Sequence, residues 1–314
     1  MSRFAMLFPG QGSQSVGMLG ALAEKNPIIS QTFEEAGEAL GYDMLALVNE
    51  GPSEQLDRTE RTQPAVVAAG VAVWRLWQAR NGPMPAIMAG HSLGEYTALV
   101  CAGSLDFGDA LRLTEMRGQA MQAAVPAGEG AMAAIIGLGD QAVENICKEA
   151  AGDQIVSAAN FNAPSQVVIA GDKEAVARAG KLAKEKGAKL VKTLAVSVPS
   201  HCQLMRSAGV RLQSHLTEIP MRQPTIPVLH NLDARDRPDV DGIRKALVAQ
   251  LDNPVQWVET IRAMRGDAID ILLECGPGKI LTGLNKRIDK QATAVAMNEP
   301  DGLRAGLAAV AEDE

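Results

Sequence analysis

Short apolar segments alternate with helical patterns along most of this chain. Apolar runs at 4–8, 85–89 and 269–274 are each followed by a turn that contains glycine. Runs of this length between turn residues are typical of buried strands. Longer patterns predict a buried helix over 62–79, a helix over 93–102 and a helix that begins after Ser104 or Asp106 and ends near 124. Strands that alternate with helices favour an α/β fold with a mostly parallel sheet.

The segment 127–197 has an order of its own. It contains predicted strands at 131–136, 155–159, 166–170 and 189–196 and predicted helices at 140–150 and 173–186. A turn that holds Asn160, Asn162 and Pro164 is predicted between the two middle strands. The order βαββαβ is that of a ferredoxin-like unit. The alternative is that these strands extend the main sheet, but the unit is complete in itself.

The pattern of the large domain resumes after 198. Predicted helices cover 202–215, 242–250 and 255–264, a strand covers 226–229, and a short basic helix follows Gly278. We therefore predict a large α/β-hydrolase-like domain, 1–126 and 198–314, with the ferredoxin-like subdomain 127–197 inserted into it.

Composition and charge narrow the class of protein. Hydrophobic residues make up 46% of the 314 residues and aromatic residues only 3%, which predicts an aliphatic core and excludes wholesale disorder. The net charge of −7 argues against a general nucleic-acid or anionic-membrane binder. No apolar stretch reaches the roughly 18 residues of a membrane span. The first apolar run breaks at Pro9, too early for a signal peptide, so we expect a cytoplasmic protein.

The cysteines give no sign of a disulfide framework or a metal site. They are Cys101, Cys147, Cys202 and Cys275, and no two of them form a C-x-x-C pair. This spacing predicts neither disulfides nor structural zinc.

The sharpest local signal is the pentapeptide GHSLG at 90–94. It fits the G-x-S-x-G nucleophile elbow, and it lies between a predicted strand and a predicted helix, as that motif requires. The start of the helix would direct free amides toward the serine hydroxyl. Ser92 is therefore a candidate nucleophile; a chance match in a glycine-rich loop is the less favoured alternative.

A serine nucleophile needs a base, and the chain has four histidines. His91 adjoins Ser92, and neighbours on a tight turn normally diverge. His215 lies in a polar helical stretch, and His230 ends a strand. His201 follows a non-helical segment at the start of a helix, where a side chain can point into a cleft. We therefore assign His201 as the base.

Arg117 stands out on the helix that follows Ser104. Residues 110, 113, 120, 121 and 124 have the spacing of a buried stripe, and Arg117 lies within it. Arg112 has acidic residues three positions to either side, whereas Arg117 has none at helical spacing. Either another segment supplies an acid or the ligand does. A serine nucleophile with such a planar cation indicates an acyl substrate that carries a free carboxylate.

Taken together, the motifs resemble the malonyl-CoA:acyl carrier protein transacylase family of bacterial fatty-acid synthesis over nearly the whole chain. The resemblance rests on residues 8–14, 62–65, 90–96, 117–118, 130–132, 160–166, 198–201, Gln250 with 254–257, and Glu274 with 276–278. Each piece alone is weak, but the ordered set is specific.

The resemblance implies roles for individual residues. Ser92 would be the nucleophile and His201 the base, and Gln250 would orient His201 through an oxygen of its side chain or main chain. The backbone amides of Gln11 and Leu93 would form the oxyanion hole.

The same resemblance implies how the substrate is held. Arg117 would bind the malonyl carboxylate. We add Asn160, Asn162 and His91 as candidate substrate-binding residues; Asn160 and Asn162 could instead only shape a turn.

Malonyl-CoA and acyl carrier protein are the implied partners, and no cofactor or metal is expected, since the CoA thioester is itself the substrate. We expect a monomer. Acyl carrier proteins are acidic, so docking on a chain of net charge −7 needs a local basic surface. Lys189 lies in one lysine-rich stretch, and Lys286 and Arg287 lie in another. Solvated helix faces are the plain alternative for each.

Two other functions stay open at this stage. A serine esterase or patatin-like lipase would also use G-x-S-x-G, although Arg117 and the βαββαβ insertion speak against it. An interaction module that has lost catalysis is disfavoured because Ser92, His201 and Arg117 are all present. The motifs around His201 favour malonyl over methylmalonyl without deciding between them.

Overall fold

The structure, a computed structural model, describes residues 3–194 and 198–311. Its strands are β1 (Phe4–Phe8), β2 (Ile87–Gly90), β3 (Gly130–Ile136), β4 (Val156–Ala163), β5 (Gln166–Asp172), β6 (Leu190–Thr193), β7 (Val228–Leu229), β8 (Ile271–Glu274) and β9 (Thr293–Ala296). Its helices are α1 (Gly20–Ala23), α2 (Pro27–Leu40), α3 (Met44–Glu50), α4 (Ser53–Leu56), α5 (Thr59–Ala79), α6 (Gly94–Cys101), α7 (Phe107–Ala124), α8 (Asp140–Ala151), α9 (Lys173–Glu185), α10 (Arg206–Glu218), α11 (Val240–Gln250), α12 (Trp257–Gly266), α13 (Ile280–Ile288) and α14 (Pro300–Val310).

The larger sheet is parallel throughout, in the order β7-β2-β1-β8-β9. Strand β1 lies at its centre, and all five of its residues are buried. Phe4, Met6 and Phe8 pack into the core on one face, whereas Ala5 and Leu7 pack on the other. This burial on both faces explains why β1 is a continuous apolar run rather than an alternating one. The loops after β1 and β2 meet at the carboxyl edge of the sheet, the usual place for a ligand site.

The smaller sheet is antiparallel, in the order β4-β5-β3-β6. Helices α8 and α9 cover one face, where Ile135 and Val167 pack against Ile146 and Val176. The other face contributes Met132 and other residues to a separate cluster that includes Cys202. The two-sheet α/β fold predicted from the sequence is confirmed. The exact domain boundaries, 126/127 and 197/198, stay a prediction.

Strand β4 corrects the predicted turn. It continues to Ala163, so Asn160 and Asn162 lie in a strand and the turn consists of Pro164 and Ser165. Asn160 also forms a bridge with Val255, which joins the end of β4 to the large domain. The asparagines indicated a turn because they are rare in strands; here pairing with β5 and with Val255 overrides that preference.

Other elements differ in their ends or were not predicted. Asp106 precedes α7 without a side-chain cap, and the Ser104 hydroxyl donates to the carbonyl of Arg222 instead (2.6 Å), so neither predicted cap forms. Part of the strand predicted at 189–196 is β6; residues 195–197 lie outside the described residues. Helices α1–α4 and α14 and strand β9 were not predicted. Within 3–194 and 198–311, no helix is long and apolar enough to cross a bilayer.

Candidate active site

Ser92 lies on a sharp turn between β2 and α6, with φ of +51°. The turn requires glycine on both sides. A Cβ on Gly90 would lie 1.8 Å from the carbonyl carbon of Gly94, and a Cβ on Gly94 would lie 2.1 Å from the carbonyl oxygen of Phe8. Because no other residue fits at these positions, the motif holds the serine in a left-handed conformation at the sheet edge.

Ser92 and His201 form a hydrogen bond across the cleft. The Ser92 Oγ lies 2.7 Å from His201 Nε2, and His201 Nδ1 lies 2.8 Å from the main-chain oxygen of Gln250. A carbonyl oxygen only accepts, so the hydrogen is on Nδ1 and Nε2 is left to accept from the serine hydroxyl. This tautomer is the one that a general base requires.

The surroundings of His201 keep its imidazole neutral. Burial and, secondarily, the positive charge of Arg117 lower the pKa of His201 to about 3, against the raising effect of the Gln250 carbonyl. Its side chain is 3% exposed. The ring is therefore free to take the serine proton at neutral pH.

Two backbone amides lie in the loops that meet at the serine. Leu93 N is the first amide after Ser92, at the start of α6, and Gln11 lies in the loop after β1. The two loops touch closely, since a Cβ on Gly10 would lie 2.5 Å from the carbonyl oxygen of His91. Neither amide donates to an acceptor in the described chain. Two free N–H groups in the cleft that holds a serine hydroxyl have the composition of an oxyanion hole.

Arg117 is buried in the floor of the cleft, 1% exposed. Its Nη1 donates to Oε1 of Gln63 (2.8 Å) and its Nη2 to Oε1 of Gln250 (3.0 Å). Its Nε has no partner, and among the described residues no carboxylate forms an ion pair with it. Burial lowers the pKa of Arg117, but a guanidinium stays charged in proteins. The cation thus has neutral partners and spare donors.

The side chain of Gln250 faces Arg117 rather than His201. Its Nε2 donates to the carbonyl oxygen of Ser92 (3.0 Å) and to Oε2 of Glu95 (2.9 Å). The sequence left open which oxygen of Gln250 would orient His201. The geometry assigns the contact with His201 to the main-chain oxygen of Gln250, and the side-chain oxygen contacts Arg117 instead.

His91 and Asn162 also line the cleft. His91 Nε2 lies 2.8 Å from Asn162 Oδ1, and the His91 ring lies 5.4 Å from the Trp257 ring. Burial lowers the pKa of His91. Asn160 lines the same cleft. These three residues, predicted from the sequence, are brought to one place.

The cleft has a volume of about 470 Å³ and lies between the two sheets. Its walls combine a few polar groups with apolar side chains, as ligand sites do. Ile280, at the start of α13, is 47% exposed and belongs to the lining. The cleft brings together Ser92, His201, Arg117, Gln11, Leu93, His91, Asn160 and Asn162.

Comparison with known proteins decides the family. Residues 5–299 match the model of the acyl transferase domain. The chain belongs to the acyl transferase family. It is 55% identical over 307 residues to the malonyl CoA-acyl carrier protein transacylase of Salmonella typhimurium, covering 98% of this chain and 99% of that protein. It is 38% identical over 314 residues to the protein of that name in Bacillus subtilis, covering 100% and 99%.

Solved structures agree. The malonyl CoA-acyl carrier protein transacylase of Coxiella burnetii superposes with a TM-score of 0.98 at 49% identity, covering 99% of this chain and 98% of that one. A malonyl-transacylase solved in complex with its type II PKS acyl-carrier protein superposes with a TM-score of 0.97 at 53% identity, covering 98% and 100%. The family resemblance stated from the motifs is confirmed, and the protein is an acyltransferase.

The basic residues of this acyltransferase differ in their surroundings. Lys286 and Arg287 are exposed on α13, whose first turn lines the cleft, and Arg287 donates to Oε1 of Gln166 (2.5 Å). Lys189 is exposed just before β6. In the lysine-rich stretch around it, Lys186 pairs with Glu149 (2.5 Å). The α13 residues are therefore linked to the cleft by a helix, whereas the other stretch is partly neutralised.

Sequence reasoning missed three residues of the acyltransferase site. Gln63 accepts from Arg117, and Glu95 accepts from the side chain of Gln250. Asn231 accepts from the Ser92 amide through Oδ1 (2.5 Å). A signal existed for Gln63, which is a polar residue that directly precedes the apolar run 64–74 of α5. Asn231 follows a short strand and had no distinguishing pattern.

Proposed function

We propose that the protein transfers the malonyl group from malonyl-CoA to the phosphopantetheine thiol of acyl carrier protein through an ester on Ser92. The observation that carries this is the Ser92–His201 hydrogen bond beside Arg117, a buried cation whose protein partners are neutral amides. The names of the relatives, and the neighbour solved with its carrier protein, support the same substrates.

The first half-reaction forms the ester. His201 Nε2 takes the proton from Ser92 Oγ as that oxygen attacks the thioester carbonyl. The oxyanion is held by the amides of Gln11 and Leu93, each worth roughly 3 kcal/mol. The carbon–sulfur bond then breaks, and CoA leaves as a thiol with the proton from His201.

The second half-reaction reverses these steps. The phosphopantetheine thiol gives its proton to His201 Nε2 and its sulfur attacks the ester carbonyl. The bond to Ser92 Oγ breaks, and the serine recovers its proton from His201. The acyl donor and the acyl acceptor therefore use one site in turn, which is a ping-pong scheme.

Arg117 supplies the preference for an acyl group that ends in a carboxylate, and we call this residue the carboxylate clamp. Its free Nε and remaining Nη hydrogens can donate to two oxygens, the geometry in which arginine binds carboxylates. Because the site is buried, this pairing is stronger than it would be in water. An acetyl group offers no charge to this cation.

The proposed chemistry uses groups of the chain and the CoA thioester alone, with no cofactor. A cytoplasmic location, a monomeric state and the choice of malonyl over methylmalonyl stay predictions. His91, Asn160 and Asn162 are proposed to line the acyl and pantetheine path.

Intact-protein mass spectrometry after incubation with malonyl-CoA tests the proposal. The wild type should gain one malonyl group, and Ser92→Ala should gain none. A labelled Ser92→Ala protein would refute the nucleophile. A wild type that releases malonate at full rate without carrier protein would indicate an esterase. A wild type that gains no malonyl group and also does not react with a fluorophosphonate reagent would indicate an inert binding module.

A further inference from the structure

Glu95 is a fully buried carboxylate one turn of α6 beyond the nucleophile, 0% exposed. Its Oε1 lies 2.5 Å from His230 Nδ1, and its Oε2 accepts from the Asn231 amide (2.9 Å) and from Gln250 Nε2 (2.9 Å). Burying a carboxylate is costly unless its oxygens are fully used. The reaction described above gives this residue no task.

The amide of Gln250 stands between two buried charges. Glu95 accepts from its Nε2, and Arg117 donates to its Oε1. A carboxylate only accepts and a guanidinium only donates, so each end requires the same orientation of the amide. A flip of the amide would lose both charge-assisted hydrogen bonds.

We infer that Glu95 is a positioning residue that aims Arg117 at the carboxylate of the substrate through the side-chain amide of Gln250. This rests on the proposed function, in which Arg117 binds the malonyl carboxylate. Glu95 touches neither substrate nor reacting atoms; it fixes Gln250, and Gln250 fixes one Nη of the guanidinium.

The indirect arrangement has a physical reason. A carboxylate in direct contact with Arg117 would occupy the paired donors that a substrate carboxylate needs. The Gln250 oxygen takes only one hydrogen of Nη2 and leaves Nε without a partner. The accepting oxygen of Glu95 therefore fixes the orientation of Arg117 through Gln250 and leaves the donors for the substrate carboxylate free.

The same network reaches the nucleophile. Asn231, held by Glu95 at its amide, accepts from Ser92 N through Oδ1 and donates to the Gly90 carbonyl through Nδ2 (2.6 Å). Loss of Glu95 can thus disturb the elbow as well as the clamp. A test must separate selectivity from general loss of activity.

The measured quantity is the ratio of kcat/KM for acylation of Ser92 by malonyl-CoA to that by acetyl-CoA. Glu95→Ala should lower this ratio by about tenfold or more, because Arg117 is no longer held in the orientation that binds the malonyl carboxylate. The acetyl group has no carboxylate, so its acylation rate does not depend on that orientation. Glu95→Gln keeps an oxygen toward Gln250, and its amide nitrogen donates to His230 Nδ1 when the ring hydrogen is on Nε2. Its ratio should therefore stay within about threefold of wild type. Rescue by this variant distinguishes positioning from loss of charge.

A matched control is Glu274→Ala. Glu274 is also a fully buried carboxylate, but it accepts from the amides of Leu281 and Thr282 at the start of α13. Its removal should lower the thermal midpoint and leave the malonyl-to-acetyl ratio unchanged. If Glu95→Ala does not fold, Gln250→Leu cuts the same link and should lower the ratio equally.

An unchanged ratio in folded Glu95→Ala would overturn the inference, as would an unchanged ratio in Gln250→Leu or a Glu95→Gln ratio as low as that of Glu95→Ala. If the wild type itself shows no preference for malonyl-CoA, the proposed role of Arg117 fails instead. The two failures are thereby distinguished.

Discussion

His201 Nδ1 lies 2.8 Å from the main-chain oxygen of Gln250, while the side chain of the same residue reaches Arg117. One residue therefore serves two functions through separate atoms. The orientation of the base depends on the backbone at the end of α11, which a substitution at this position preserves. The aim of the clamp depends on the side chain, which a substitution changes.

Gln250→Asp tests this division. The shorter side chain brings a negative charge toward Arg117, where it competes with the substrate carboxylate. We expect kcat/KM for malonyl-CoA to fall by about tenfold or more while that for acetyl-CoA changes much less. Steady-state kinetics with both thioesters measures this. Equal losses would mean that the side chain supports the base after all.

Arg117→Ala should harm malonyl-CoA selectively and spare or improve acetyl-CoA. Loss of a buried charge pair with the substrate costs about 2–5 kcal/mol in transition-state binding. Arg112→Ala is the matched control, because Arg112 lies on the same helix, exposed and paired with Asp109 (2.7 Å). Parallel losses for the two thioesters in Arg117→Ala would contradict the clamp.

The pH dependence of acylation follows from the state of His201. Its pKa in the folded protein is lowered from 6.5 to about 3, so the neutral base persists as the pH falls below 6.5. We expect kcat/KM for malonyl-CoA to stay level through pH 6.5 and to decline only at more acidic pH, since this parameter reports the free enzyme. A decline centred on 6.5 would show an imidazole with its ordinary pKa.

The central elements and the chemical groups could be predicted because they have local signals. The strand before Ser92, the two glycines beside it and the helix after it follow from sterics within a few residues. Arg117 was found because a cation occupies one position of an otherwise apolar helical stripe. These features are properties of short segments, which a sequence shows directly.

What could not be predicted depends on contacts between distant segments. Asn160 and Asn162 belong to a strand because β5 and Val255 pair with it, which no local preference indicates. The links from Glu95 to His230 and Gln250 each span more than 130 residues of sequence. Such contacts exist only once the sheet has brought the loops together.

Charge reversal on α13 tests the docking of the acidic carrier protein. Lys286→Glu should raise the KM for carrier protein, more so at low salt, and leave that for malonyl-CoA less affected. Lys286 is the sharper choice, because reversal of Arg287 would also break its contact with Gln166. Lys189→Glu extends the test to the other stretch, and Lys245→Glu, an exposed lysine outside the cleft lining, is the control. No selective change at Lys286 would dismiss this surface.

The most direct test of the covalent transfer separates its two halves. Protein malonylated by malonyl-CoA is freed of CoA and then mixed with carrier protein that bears phosphopantetheine, and both masses are followed. We expect the enzyme to lose one malonyl group and the carrier protein to gain it, with no gain by carrier protein that lacks the phosphopantetheine arm. Release of free malonate without any gain by the carrier protein, or transfer only when malonyl-CoA and carrier protein are present together, would contradict the ester on Ser92 as the intermediate.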